Sequence, residues 1–120
     1  MFWLAAGCVL LLAIMYLALI PIPNVMPSVT WSDKIIHCVV FGGLMVWFAA
    51  LFPPSFDARV FATLLVYGLI MELLQSLAPN RLAEFGDIVA DAAGLLVGVL
   101  LVKTSLRRWP LWLEKLAGSQ

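Results

Sequence analysis

The chain has 120 residues, 64% of them hydrophobic and 12% charged, with a formal net charge of zero. A mean hydropathy of +1.07 excludes an ordinary soluble globular domain, and a balance of seven basic against seven acidic residues gives no reason to expect a nucleic-acid partner. The composition predicts one all-α, polytopic membrane domain, with apolar stretches to be measured against the roughly 20 residues a helix needs to cross about 30 Å of hydrocarbon.

Four such stretches are predicted as transmembrane helices. Residues 1–20 carry no charged side chain and end at Pro21, Pro23 and Pro27, which forbid a continuing helix. The segment Ala5, Ala6, Gly7, Cys8 has the look of a lipoprotein cleavage box. However, only seven residues precede Cys8 and none is basic, so a retained helix is expected. The second stretch, residues 35–52, is closed by Pro53 and Pro54; the third, 60–78, by Pro79; the fourth, 88–102, contains Asp91, Gly94 and Gly98. At 1.5 Å per residue these span roughly 30, 27, 28 and 22 Å, so the last is short for a crossing. Cys8 and Cys38 sit in separate helices and are expected to pack without a disulfide.

The tail, residues 103–120, spaces Trp109, Trp112, Leu113 and Leu116 as one apolar helical face. That pattern predicts a short interfacial helix; a docking element for a cytoplasmic partner is the alternative. Trp3 and Trp31 suit interfacial anchoring. Arg59, Lys103, Arg107, Arg108 and Lys115 fall on one side of a four-crossing topology, against Lys34 and Arg81 on the other. Basic residues are retained preferentially inside, so both termini are expected in the cytoplasm.

That orientation places every polar residue at membrane depth toward the outer face. Asp33, Lys34 and His37 start the second helix, Glu72 and Gln75 lie in the outer half of the third, and Arg81, Glu84 and Asp87 follow in the loop, with Asp91 one turn into the fourth. Asp33 with His37, Glu72 with Gln75, and Asp87 with Asp91 are spaced three or four residues apart, so each pair projects from one side of its helix. Carboxylates crowded in this way need ion pairs with Lys34 and Arg81, shared protons, helix N-termini or a bound divalent cation. Bland readings stand beside this one. Lys34, Arg81 and Glu84 suit an ordinary interface, Asp33 a helix cap, and His37 a hydrogen-bonded packing role. Gly42, Gly43, Gly94 and Gly98 suit close helix packing. Glu72 and Asp91 are harder to dismiss, because an acid inside a membrane helix costs about 2.5 kcal/mol or more by insertion scales.

Asp33-Lys34-x-x-His37, Glu72-x-x-Gln75, Arg81 and Asp87-Ile88-x-x-Asp91-x-x-Gly94 together resemble the VanZ-like family of small bacterial membrane proteins, over about residues 31–98. The family usually has Asn where this chain has Asp91, a departure that adds a carboxyl group. The resemblance implies a multi-pass protein of the bacterial cytoplasmic (inner) membrane and an association with teicoplanin resistance. Three functions are expected to compete. The first is an outward pocket of Asp33, Lys34, His37, Glu72, Gln75, Arg81, Asp87 and Asp91 that binds a lipid head group, a peptidoglycan precursor or a lipoglycopeptide. The second is an enzyme on a lipid-linked envelope substrate, with Glu72 or His37 as general base, Arg81 or Lys34 holding an anionic group, and a divalent metal on Asp33, His37, Glu72, Asp87 and Asp91. The third is a structural or regulatory subunit, with Gly94 and Gly98 pairing to another membrane protein or to a second copy in a homo-oligomer.

Overall fold

The computed structural model describes residues 1–20, 31–77 and 84–118, with the side chains of Trp31 and Ser32 outside that description. The described residues form five α-helices: α1 (Phe2–Leu19), α2 (Trp31–Ala49), α3 (Asp57–Ser76), α4 (Phe85–Val102) and α5 (Trp109–Gly118). Short 3-10 turns over Pro54–Phe56 and Ser105–Arg108 lead into α3 and α5. Among the described residues, two helices, α1 and α4, are long and apolar enough to cross a membrane.

Helix starts fall earlier than hydropathy predicts. α2 begins at Trp31, α3 at Asp57 and α4 at Phe85, because a helix's first turn accommodates acids at its positive end while an apolar window stops at the first charge. The fourth helix is therefore 18 residues long, roughly 27 Å, and the expectation of a short one is corrected.

α2 and α4 are the most extensively packed pair, and glycines explain why. A Cβ on Gly94 would collide with the Cys38 carbonyl, and one on Gly98 would meet Met45 Cβ at 2.5 Å and the Gly42 carbonyl at 2.9 Å. Backbone thus lies against backbone, which only residues without side chains permit. Lys34 meets Asp87, His37 meets Asp91 and Met45 meets Gly98, so the two helices run parallel in a constant register. The face that Gly94 and Gly98 offered to a partner protein is occupied by α2 of the same chain.

Around this pair the core is apolar, with Phe41, Leu44, Met45 and Leu95 essentially inaccessible. The outer surface is apolar too: Val9, Leu12, Leu17, Val39, Leu73 and Leu100 are each more than half exposed. α1 packs mainly on α3, fixed by Tyr67 donating to the Leu11 carbonyl at 2.6 Å. Cys8 is exposed and Cys38 half-buried, both free, so Cys8 does not fill the core as expected.

The far end of the bundle, where α1 starts and α2 ends, is closed by aromatics. Trp3, Trp47 and Trp109 meet with ring centroids 4.5–6.0 Å apart, and the Trp47 and Trp109 indoles donate to the Trp3 and Val46 carbonyls. In the tail helix Pro110 is buried and Trp109 turned inward, while Trp112, Leu113 and Leu116 remain exposed.

Candidate functional site

The other end of the bundle gathers the ionisable residues. α2 and α4 both begin there, with Asp33 and Asp87 in their first turns, so two positive helix ends face the carboxyl groups. α3 ends there and supplies Glu72 and Gln75 from its buried face. Glu72, Asp87 and Asp91 are 6%, 7% and 2% exposed. Burial on that scale requires each acid to have partners.

Three sets of contacts supply them. Lys34 Nζ donates to Glu84 Oε2 at 2.8 Å and to Asp87 Oδ1 at 3.2 Å, its stem lying over Gly86 where a Cβ would otherwise stand. The Glu84 backbone N–H donates to Glu72 Oε1 at 2.7 Å, which ties α3 to the start of α4. His37 Nδ1 and Asp91 Oδ1 are 2.8 Å apart. With Asp91 ionised, Nδ1 carries the shared proton, and Nε2 is left 4.0 Å from Asp33 Oδ1. Asp91 Oδ2 rests against Gly68, in the space a Cβ would fill.

Six of the residues singled out from sequence thus share one end: Asp33, Lys34, His37, Glu72, Asp87 and Asp91. Glu84, weighed as an ordinary interfacial charge, is instead a direct partner of Lys34 and Glu72. Gln75 shares the buried face of Glu72 but donates to the Ala18 carbonyl at 2.9 Å, fastening the end of α1. Arg81 lies outside the described residues. Lys34, expected to hold an anionic group, is engaged by two carboxylates.

Among the described residues, five carboxyl groups therefore share this end with one lysine and one histidine. One ligand atom from each of Asp33, His37 and Asp87 falls within 4.8 Å of the other two, a separation at which an oxygen- and nitrogen-binding cation suits the donors. Asp91 on the far ring nitrogen of His37 fixes the ring in the manner of a carboxylate behind a metal-bound histidine.

Two further residues carry structure that sequence reading missed. Arg107 donates to the carbonyls of Ala49, Phe52 and Val102 and pairs with Asp57, joining the ends of α2 and α4 to the start of α3. No spacing rule links positions 57 and 107; the only signal is an acid at one helix start and an arginine just past another helix's end.

The family model described as VanZ/LLP1 matches residues 7–107, a span that takes in every site residue and runs from the second turn of α1 to the Arg107 turn. Neither the curated proteins nor the solved structures yield a match to this chain. With the matched span covering most of the chain, and with the acids and histidine of the motifs meeting at one end of the bundle, this protein belongs to the VanZ/LLP1 family.

Proposed function

We propose that α1–α4 cross a bacterial cytoplasmic membrane with both termini inside, and that the polar end of the bundle faces outward and binds an envelope component. Two helices of membrane-crossing length and composition, the apolar exterior and the family membership support the membrane location. The observation that carries the binding reading is the set of buried acids Glu72, Asp87 and Asp91 held together with Lys34 and His37 at one end. An intramembrane acid is retained at a cost, and a binding site is the usual return on it.

With carboxyl groups in excess among the described residues, the ligand this end suits is one that presents an amine. Ethanolamine head groups, the peptide stem of a peptidoglycan precursor and the lipoglycopeptide teicoplanin all do so. The purified protein is to be titrated with phosphatidylethanolamine, a polyprenyl-linked peptidoglycan precursor and teicoplanin. The variants Glu72→Ala, Asp91→Ala and His37→Ala are expected to lose binding while still inserting. Normal binding by all three variants would remove the pocket. A role in teicoplanin resistance follows only if expression raises the tolerated concentration of the drug in a susceptible host and the same variants do not.

One observation favours a second reading. Asp33, His37 and Asp87 lie at ligand-like separation with Asp91 behind the ring, which suits a divalent metal and an enzyme acting on a lipid-linked envelope substrate, with Glu72 as the general base. Metal analysis separates the two: stoichiometric metal that Asp33→Asn and Asp87→Asn both release favours the enzyme.

A further inference from the structure

At the opposite end from the polar site, a cleft of about 280 Å³ opens between α1, the end of α2 and the start of α3. Leu4 and Leu11 line it from α1, Phe48 from the last turn of α2, Phe52 from the turn that follows, and Val60 and Leu64 from α3. Leu4 with Leu11 and Val60 with Leu64 fall at spacings of seven and four, so α1 and α3 each turn one apolar face inward. Arg59 sits in the first turn of α3, in the cleft's lining, with its guanidinium 4.9 Å from the centre of the Phe56 ring. That contact leaves its donors available.

Charge decides what fills the space. Asp57 is paired with Arg107, and Glu114 accepts from the Trp3 indole. Among the described residues, Arg59, Lys103, Arg108 and Lys115 then have no carboxylate partner. An apolar cleft with an exposed arginine in its lining, on a chain whose other unpaired described cations are Lys103, Arg108 and Lys115, matches an acyl chain joined to an anionic head group. The geometry points to an anionic phospholipid of the inner leaflet, one chain lying between α1 and α3 and its phosphate on Arg59. This inference rests on the reading that α1–α4 span the membrane with both termini inside.

Native mass spectrometry of the full chain, released from nanodiscs of equal phosphatidylglycerol and phosphatidylethanolamine, tests it. The wild type is expected to retain phosphatidylglycerol about fivefold over phosphatidylethanolamine, the scale of one basic side chain at an anionic surface. Arg59→Gln is exposed enough to fold and should bring the ratio to unity. Thr63→Trp, at the exposed rim of the same cleft, should reduce retention of both lipids by filling the space. Glycerol phosphate, which has no acyl chain, should not displace the lipid. An Arg59→Gln ratio equal to the wild type, displacement by glycerol phosphate, or a second copy of the chain crosslinked through position 63 would each overturn the inference. Alkaline extraction of the same membranes keeps the outcomes distinct. A chain that is stripped off fails the membrane reading, whereas one that stays embedded without lipid preference fails this inference alone.

Discussion

His37 and Asp91 are each the seventh residue of their helix, and their side chains meet at 2.8 Å. The coincidence follows from the parallel register of α2 and α4: helices that begin at the same end and pack backbone to backbone bring equal depths together. The histidine is thereby held one and a half to two turns below the helix starts, with one ring nitrogen committed and the other turned toward Asp33.

The acid at position 91 is then testable against an asparagine of the same shape. An amide oxygen accepts from His37 Nδ1 as a carboxylate does, so Asp91→Asn is expected to leave thermal stability in detergent nearly unchanged. Asp91→Ala removes the acceptor from a buried donor and should cost about 1–2 kcal/mol. An alanine variant as stable as the asparagine variant would mean that the 2.8 Å contact carries no stabilisation.

Lys34 separates two carboxylates that would otherwise face each other across the start of α4. Lys34→Met should lower the melting temperature by leaving Glu84 and Asp87 without their cation. Adding Glu84→Gln should recover part of that loss, so that the double variant melts above Lys34→Met. Strictly additive losses in the double-mutant cycle would show the pair to be uncoupled.

Much of this site was legible in the sequence. Prolines bracket the apolar stretches, and spacings of three and four put Asp33 with His37, and Asp87 with Asp91, on single faces. What the sequence does not encode locally is register. Gly94 and Gly98 announce a close approach but not its partner, so α2 of the same chain and a foreign helix read alike until the Cys38 carbonyl is found against Gly94. Gln75 likewise reads as a site residue because its spacing from Glu72 is visible and the Ala18 carbonyl, more than fifty positions away, is not. The tail's apolar face is visible in the spacing of Trp109 and Trp112, but that Trp109 seats against Trp3 and Trp47 is not.

Glycines that touch a neighbour should be distinguishable from those that do not. Gly94→Ala and Gly98→Ala must push α2 away from α4 and are expected to cost about 1–3 kcal/mol each. Gly68→Ala meets Asp91 Oδ2 at 2.7 Å and Phe41 at 3.0 Å, so it should disturb the His37 contact as well as stability. Beyond its own stretch of helix, no atom lies within 4 Å of a Cβ built on Gly43, and alanine there should be neutral or mildly stabilising, since a helix interior favours it by up to about 1 kcal/mol. Melting curves of the four variants check the order, and a destabilised Gly43→Ala would contradict the packing.

The proposed topology makes its own prediction. Single cysteines at Ser55 and at Ser105, in a background without Cys8 and Cys38, should be protected from a membrane-impermeant thiol reagent in intact cells and react only after permeabilisation. A cysteine at Glu84, at the polar end, should react in intact cells. Reaction of all three without permeabilisation would rule out four crossings with both termini inside.

Arg107 is the strongest structural bet outside the site. One guanidinium reaches the carbonyls of Ala49, Phe52 and Val102 together with the Asp57 carboxylate, a fan of donors that a lysine ammonium, with three donors on a single nitrogen, does not reproduce. Arg107→Met leaves Asp57 and three helix-end carbonyls to find other partners and should cost about 2–3 kcal/mol. Arg107→Lys should recover less than half of that. Asp57→Asn, which keeps a hydrogen-bond acceptor but removes the charge, should fall between the wild type and Arg107→Met. Because this junction lies at the opposite end from His37 and Asp91, the Arg107 variants should lower the melting temperature without changing the affinity for any ligand bound by the polar site. A lysine variant as stable as the wild type would show that charge alone, without the fan of donors, holds α2, α3 and α4 together there.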